Sequence, residues 1–210
     1  MIPKTINEKG ILAKLLEQGI RILLIKECKK ISTLKIDIIS SSRKIIKGEI
    51  QKINILAKDI DYKDLLFDEI ELGANHLEIN FRIIKKTLYF KNDPIIKFKI
   101  SISQISLRKV LLSNNWNWIE NMISKEILNQ DKIEDIIIKN GQLFINSSEE
   151  NNTLKEIEQI ELKTEKGKLH LKNRTNKKTI QIPLEEKIYI ENVNIESNLI
   201  NIFGNSSISF

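Results

Sequence analysis

Side chains that could take part in catalysis or metal binding are present in this chain, but the sequence does not bring them into a recognisable constellation. Cys28 is the single cysteine, and no His or Asn lies close in sequence to activate it. His76 and His170 are the two histidines, and they lack the spacing of metal ligands. Motifs for a nucleophile elbow, a phosphate-binding loop or a dinucleotide site are absent. We therefore predict a protein that is not an enzyme and that uses no metal or cofactor.

The pattern of charged residues is typical of a solvent-exposed surface and does not indicate a catalytic acid–base pair. Carboxylates alternate with lysines on faces predicted to meet solvent, so no catalytic pair can be singled out. The net charge is +6 and the isoelectric point is about 9.2. This charge favours anionic lipid surfaces or nucleic acid, and the plain alternative is a solvated basic surface.

One heptad mixes lysines with aromatic side chains, as nucleic-acid-binding segments do. Residues 85–91 read K-K-T-L-Y-F-K. The alternative is a strand whose edge is protected by lysines. We expect no nucleic-acid partner, and we assign Lys85 and Lys86 to lipid headgroups or membrane docking.

Alternation of apolar and polar residues is the strongest structural signal. Residues 97–103 read K-F-K-I-S-I-S, so Phe98, Ile100 and Ile102 share one face. The same period recurs at residues 51–57, 77–83, 136–138 and 169–172. Such a period is typical of half-buried antiparallel strands. Further strands are predicted at 34–40, 44–50, 67–72 and through most of 133–203, with a turn at Asn140-Gly141.

Two longer segments follow the helical period instead. The first is 8–29, whose wide apolar face includes Leu16 and Leu23. This helix could lie across a sheet or on a membrane surface. The second is 116–128, for which Asn117 and Glu120 resemble a capping box. A short helix with Ser106 as its N-cap is predicted just before it.

Trp116 and Trp118 open the second long helix. Tryptophan prefers the boundary between apolar and aqueous surroundings, so these rings could face lipid or pack against the sheet.

Length and composition set limits on the organisation. The chain has 210 residues and no Pro-, Gly- or Ser-rich linker, so we predict a single domain covering 1–210. Hydrophobic residues make up 41% but aromatics only 6%, so isoleucine supplies most of the core. No signal peptide or span of about 20 apolar residues is seen, which predicts a cytoplasmic protein with peripheral membrane association as an option.

Residues 34–81 contain, in this order, K-I-D-I, K-I-I-K-G-E-I, the run I-N-I-L-A-K-D-I-D-Y-K-D-L-L-F-D-E-I-E-L and L-E-I-N-F. This order of segments resembles the LmeA-like phospholipid-binding family. The resemblance continues at 102–111 (I-S-Q-I-S-L-R-K-V-L), 136–145 (I-I-I-K-N-G-Q-L-F-I), 182–183 and 202–204. Within 102–111, Ser106 and Arg108 replace an Asp and an Asn of the family pattern.

The resemblance implies an α+β fold with an elongated, curved, mostly antiparallel β-sheet and two principal helices packed in its concavity. It also implies non-catalytic binding of phospholipid or another acyl lipid in an apolar groove between sheet and helices. The residues expected to line this groove are Leu16, Leu23, Leu77, Ile79, Phe81, Phe98, Ile100, Trp116 and Trp118. The alternatives are a closed-core protein–protein interaction domain without a ligand and, third, a basic nucleic-acid-binding β module.

Overall fold

The computed structural model describes residues 10–82, 87–148 and 156–208. Within these ranges the protein is α+β, and every strand pairing is antiparallel. This confirms the fold class that the alternating segments predict.

The strands of the described residues form two sheets. The strands of the first sheet are β1 (Thr33–Ile39), β2 (Glu49–Tyr62), β3 (Leu65–Arg82), β4 (Thr87–Phe90), β5 (Ile95–Ser103), β11 (Ile188–Glu196) and β12 (Leu199–Ser207). Their order is β1-β2-β3-β5-β12-β11, and β4 pairs with the C-terminal end of β3. The second sheet has the order β10-β9-β8-β7-β6. Its strands are β6 (Lys132–Lys139), β7 (Gln142–Ser148), β8 (Glu156–Glu165), β9 (Lys168–Asn173) and β10 (Thr179–Gln181).

The two longest helical segments of the described chain lie where the sequence places them. The first is α1 (Ile11–Glu27). The second is α4 (Asn117–Met122), which continues as a π-helical segment (Ile123–Leu128). The shorter helices are α2 (Ser42–Ile46) and α3 (Gln104–Leu111).

Three local predictions are wrong. Residues 44–46 belong to α2 and not to a strand, because the Ser41 side chain accepts a hydrogen bond from the Lys44 N–H and starts a helical turn. Ser103, and not Ser106, is the N-cap of α3, and its hydroxyl accepts from the Ser106 N–H.

The predicted capping box is the third error. α4 begins at Asn117 itself, with no side-chain cap. The Glu120 carboxylate instead accepts a hydrogen bond from the N–H of Ile133 on β6, at 2.7 Å. The Glu120 carboxylate is therefore used in a tertiary contact, whereas the local pattern predicts that it caps the helix.

Two residues with a left-handed backbone conformation shift the alternation of buried and exposed side chains in β2 and β3. The pairing register of the two strands does not change. On β2 two exposed residues, the second being Asp59 (φ 49°), separate buried Ala57 from buried Ile60. On β3 the second of two exposed residues is His76 (φ 54°), between Ala74 and Leu77. The buried side chains of β2 and β3 therefore stay on one side of the sheet along the whole of each strand. A strict period of two would instead predict shorter strands.

The buried apolar residues form two clusters. One lies between the second sheet, α3, the π-helical segment and the first residues of β12, and it includes Ile127, Ile136 and Ile160. The other lies between α1 and the strands β1, β2 and β3, and it includes Ala13, Ile38 and Leu77. A carboxylate fixes α1 in this second cluster, because Glu17 accepts a hydrogen bond of 2.8 Å from the Ile38 N–H of β1.

Asn173 connects the π-helical segment to the second sheet. Its side chain is fully buried, and its Oδ1 accepts from the N–H groups of Thr175 (2.8 Å) and Asn176 (3.3 Å). Its Nδ2 donates to the Ile127 carbonyl and to the Glu158 carboxylate. One amide thus satisfies groups from three segments of the chain.

We predict that Asn173→Ala lowers the free energy of unfolding by about 2–4 kcal/mol, because it removes four hydrogen bonds made by a fully buried side chain. Urea denaturation measures this change. The control is Thr175→Ala, an exposed neighbour, which should change stability by less than about 0.5 kcal/mol. Equal losses in the two variants would contradict the role assigned to Asn173.

Candidate functional site

An apolar groove runs along α1. It has a volume of about 730 Å³. We call it the α1 groove. Its walls come from α1, α2 and the end of β3, and the lining residues are Leu12, Leu15, Leu16, Gly19, Ile20, Ile22, Leu23, Ile45, Ile46, Lys47, Gly48, Ile79, Asn80 and Lys91.

A second apolar cavity of about 200 Å³ lies between α1 and the first sheet. We call it the inner cavity. It shares Ile20, Leu23 and Ile79 with the α1 groove, so the two spaces adjoin at these residues. Its remaining walls are aliphatic and aromatic side chains of β2, β3, β4 and β5, together with Gly73 and Leu24. The helix therefore does not close the core beneath it completely.

The sequence of α1 explains why a groove forms there. Ala13, Leu16, Ile20 and Leu24 recur at helical spacing and contact the sheet. Leu12, Leu15, Gly19 and Leu23 form an adjacent row that borders the groove. In this second row Gly19 has nothing within 4 Å of the position where a Cβ would lie, so the absent side chain leaves the groove open at mid-helix.

Gly48 forms part of the floor of the groove. Its φ is +81°, and an added Cβ would lie 2.1 Å from the Ile79 carbonyl oxygen. Its own carbonyl accepts a hydrogen bond of 2.6 Å from the Ile79 N–H. Glycine is required here both for the left-handed backbone and for the close approach of the two chains.

Two cations stand at the edge of the groove. Lys47 and Lys91 line it, and neither has an ion-pair partner within the described ranges. The groove thus combines an apolar interior with unpaired ammonium groups at its rim. This arrangement can hold a molecule with a hydrocarbon portion and an anionic end.

Four of the sequence-predicted site residues meet in this region. Leu16 lines the α1 groove, Leu77 lines the inner cavity, and Leu23 and Ile79 line both. The groove also includes α2, Gly19, Lys47, Gly48 and Lys91, which are not among the site residues predicted from the sequence. Only Gly48 carried a signal, as an isolated glycine just before an apolar strand.

Other predicted residues lie elsewhere. The strand register places Phe98 and Ile100 on the same face as Leu72 and Ile70, but neither lines the α1 groove or the inner cavity. Lys85 and Lys86 lie outside the described residues, and so does the side chain of Phe81.

The two tryptophans lie at the other end of the β2–β3 hairpin from Ile79. The indole N–H of Trp116 donates to the Lys63 carbonyl in the hairpin turn, at 2.8 Å. The two rings are 6.3 Å apart, and Trp118 is 40% exposed. Trp116 is therefore bound to the hairpin turn, and neither ring lines the α1 groove or the inner cavity.

A third cavity, of about 510 Å³, is lined in part by a row of paired residues that crosses the first sheet. Asp37, Asn54, Gly73 and Lys97 are successive partners in this row. Next to them Lys99 donates to Glu71 at 2.9 Å, and this bond raises the pKa of Lys99. Charges of both signs are already present here, so the cavity shows no preference for one ligand charge.

Among the described residues, the remaining His, Cys, Asp and Glu side chains form no metal-binding cluster. Within the described ranges no group of three or more His, Cys, Asp or Glu side chains could hold a metal ion. Cys28 caps the C-terminus of α1, where burial and the nearby Glu27 and Asp61 raise the pKa of its thiol. Among the described helices, none has the length and apolar character needed to span a bilayer.

Fold and site together define a class: an α+β protein of two antiparallel sheets with an apolar groove beside its first helix. No protein-family model, curated protein or solved structure matches this chain.

Gly48→Ala should lower the free energy of unfolding by about 2–4 kcal/mol, because a Cβ would collide with the Ile79 carbonyl in a left-handed backbone. Gly19→Ala is the matched control. Its added methyl enters open space in a helix, so stability should rise by about 0.5–1 kcal/mol. Chemical denaturation of both variants tests the pair, and a harmless Gly48→Ala would refute the proposed floor.

Cys28 should react with iodoacetamide along a pH profile whose midpoint lies above that of an exposed cysteine. Only the thiolate reacts, and a raised pKa means less thiolate at a given pH. Glu27→Gln removes a negative charge and should move the midpoint downwards. The alkylation rate, measured across the alkaline range, gives the midpoint separately from the maximal rate. A midpoint at or below that of a cysteine-containing peptide would contradict the assignment.

Proposed function

We propose that this protein binds a phospholipid or another acyl lipid without catalysis, with the hydrocarbon chain in the α1 groove. The observation that carries the proposal is that two apolar spaces, the α1 groove and the inner cavity, adjoin beside one helix and share Ile20, Leu23 and Ile79 as lining residues. The resemblance of the sequence to the LmeA-like family leads to the same class of ligand.

The dimensions support an acyl chain. A volume of about 730 Å³ falls in the range of small-molecule sites, and the lining is mainly Leu and Ile. Each methylene that leaves water for such surroundings contributes about 0.8 kcal/mol. Most of the binding free energy would therefore come from the chain, and Lys47 and Lys91 would contact a phosphate at the rim.

The first rival is a protein-interaction domain with a closed core. A closed core leaves no space beside α1, whereas the inner cavity lies within the cluster that α1 covers. The basic nucleic-acid-binding module is the second rival. Lys85 and Lys86, on which it depends, lie outside the described residues.

The decisive variant is Gly19→Leu. Leucine at this position would fill the middle of the groove, and it also favours a helix more than glycine does by about 0.8 kcal/mol. Displacing about two methylenes of the ligand would cost about 1.6 kcal/mol, or roughly tenfold in Kd. We therefore expect a variant that is at least as stable as the wild type but binds lipid about tenfold more weakly.

The measurement is a fluorescence titration with a short-chain phosphatidylglycerol probe supplied as monomers, so that no membrane surface is involved. Leu15→Gln and Ile25→Gln form a matched pair. The two residues are 62% and 53% exposed on the same helix, but only Leu15 lines the groove. Leu15→Gln should weaken binding, and Ile25→Gln should leave it unchanged.

Two results would refute the proposal. One is a folded wild-type protein that takes up no monomeric probe and carries no lipid in native mass spectrometry. The other is a Gly19→Leu variant that binds as the wild type does.

A further inference from the structure

A row of large aliphatic side chains on α1 faces away from the first sheet. Ile11, Leu15, Ile22 and Ile25 are spaced by four, seven and three residues, so they share one side of the helix. All four are exposed, Ile11 by 77% and Ile22 by 67%. Ile46 of the neighbouring α2 is also 76% exposed. Five exposed branched side chains on two adjacent helices are typical of a surface that contacts an apolar partner.

Positive charge surrounds this row. From α1, α2 and the residue that caps α2, six side chains are basic: Lys14, Arg21, Lys26, Arg43, Lys44 and Lys47. Only Glu17 and Glu27 on the same elements are acidic, and Glu17 is bound to the Ile38 N–H. None of the six cations has an ion-pair partner among the residues that the structure describes.

We infer that α1 and α2 form the surface on which the protein docks to an anionic bilayer, with the aliphatic row in the acyl boundary and the six cations among the phosphates. An interfacial helix has this composition, with aliphatic side chains on one side and Lys or Arg beside them. The positive charge favours an anionic bilayer over a second copy of the chain as the partner of this surface. A symmetric dimer through this surface would bring the same cations together, whereas anionic lipids neutralise them.

The inference deepens the proposed function and rests on it for the source of the ligand. Leu15 and Ile22 belong to the aliphatic row and also line the α1 groove. The groove therefore opens on the side of α1 that would contact the bilayer. A lipid could pass from the leaflet into the groove along these two side chains without crossing bulk water.

Flotation with vesicles tests docking separately from lipid uptake. The wild type should float with vesicles of equal parts phosphatidylglycerol and phosphatidylcholine and not with phosphatidylcholine alone. Binding should fall steeply between about 0.01 and 0.5 M salt as the screening length shortens. Ile25→Gln should weaken flotation by about tenfold, since a large side chain no longer enters the acyl boundary, yet should keep its uptake of the monomeric probe.

Charge reversal gives a second, matched comparison. Lys14→Glu with Lys44→Glu should reduce flotation by about tenfold or more, because each cation near an anionic surface contributes to binding. Lys109→Glu with Lys125→Glu changes the net charge equally on exposed residues of α3 and the π-helical segment, and should leave flotation nearly unchanged. Gly19→Leu should float like the wild type while binding the monomeric probe about tenfold more weakly.

The outcomes separate the two proposals. Equal effects of the two charge-reversed pairs, or flotation that does not depend on phosphatidylglycerol, would overturn the docking surface. So would a dimer in analytical ultracentrifugation that Ile25→Gln disrupts, because a second copy would then cover the row. Flotation that persists in a protein with no uptake of the monomeric probe would refute the groove and leave the docking surface standing.

Discussion

The position of α1 on the first sheet is the constraint on which the rest of the site depends. One carboxylate, that of Glu17, accepts a hydrogen bond from the Ile38 N–H of β1, and apolar contacts through Ala13, Leu16 and Leu24 accompany it. A helix that contacts the sheet through one short row of side chains leaves the neighbouring row and the opposite side of the helix uncovered. The neighbouring row borders the α1 groove, the opposite side carries the exposed aliphatic row, and Leu15 belongs to both. Both proposed properties thus follow from a narrow contact between helix and sheet.

The two clusters of buried residues differ in how completely they are packed. The cluster around Ile127 and Ile136 includes side chains of the π-helical segment, and the Asn173 amide donates a hydrogen bond to the Ile127 carbonyl. The cluster beneath α1 contains the inner cavity. Close packing in the first cluster supplies stability, since protein interiors normally have few voids. The second is less completely packed, and a ligand would supply the missing contacts.

Much of the fold could be predicted from the sequence, because its strands repeat a strong local pattern. β5 and β9 match the alternating segments at 97–103 and 169–172 closely. The long strand β3 was divided into 67–72 and 77–83, because the left-handed His76 shifts the alternation and local periodicity cannot detect such a shift. α2 was missed because five residues are too few to establish a helical period.

The site was less predictable than the fold. Leu16, Leu23, Leu77 and Ile79 belong to elements with clear periodicity, so their common face could be anticipated. Trp116 could not be placed in this way, because its indole N–H is bound to a hairpin turn distant in sequence. The groove itself depends on the absence of a side chain at Gly19 and at Gly48. A pattern of apolar residues indicates which side chains share a face, but it does not indicate where a space is left between them.

The glycine in the middle of α1 has a consequence for how the molecule opens. In this 17-residue helix Ala13 is the one side chain, among the residues described, that is fully buried, and Gly19 is a poor helix former. A single fully buried side chain and a central glycine make α1 the first cooperative unit expected to unfold locally while both sheets keep their hydrogen bonds. In native-state hydrogen exchange its amides would then lose protection before those of β3. The free energy of this local opening would set how readily a bulky molecule enters or leaves the space beneath the helix.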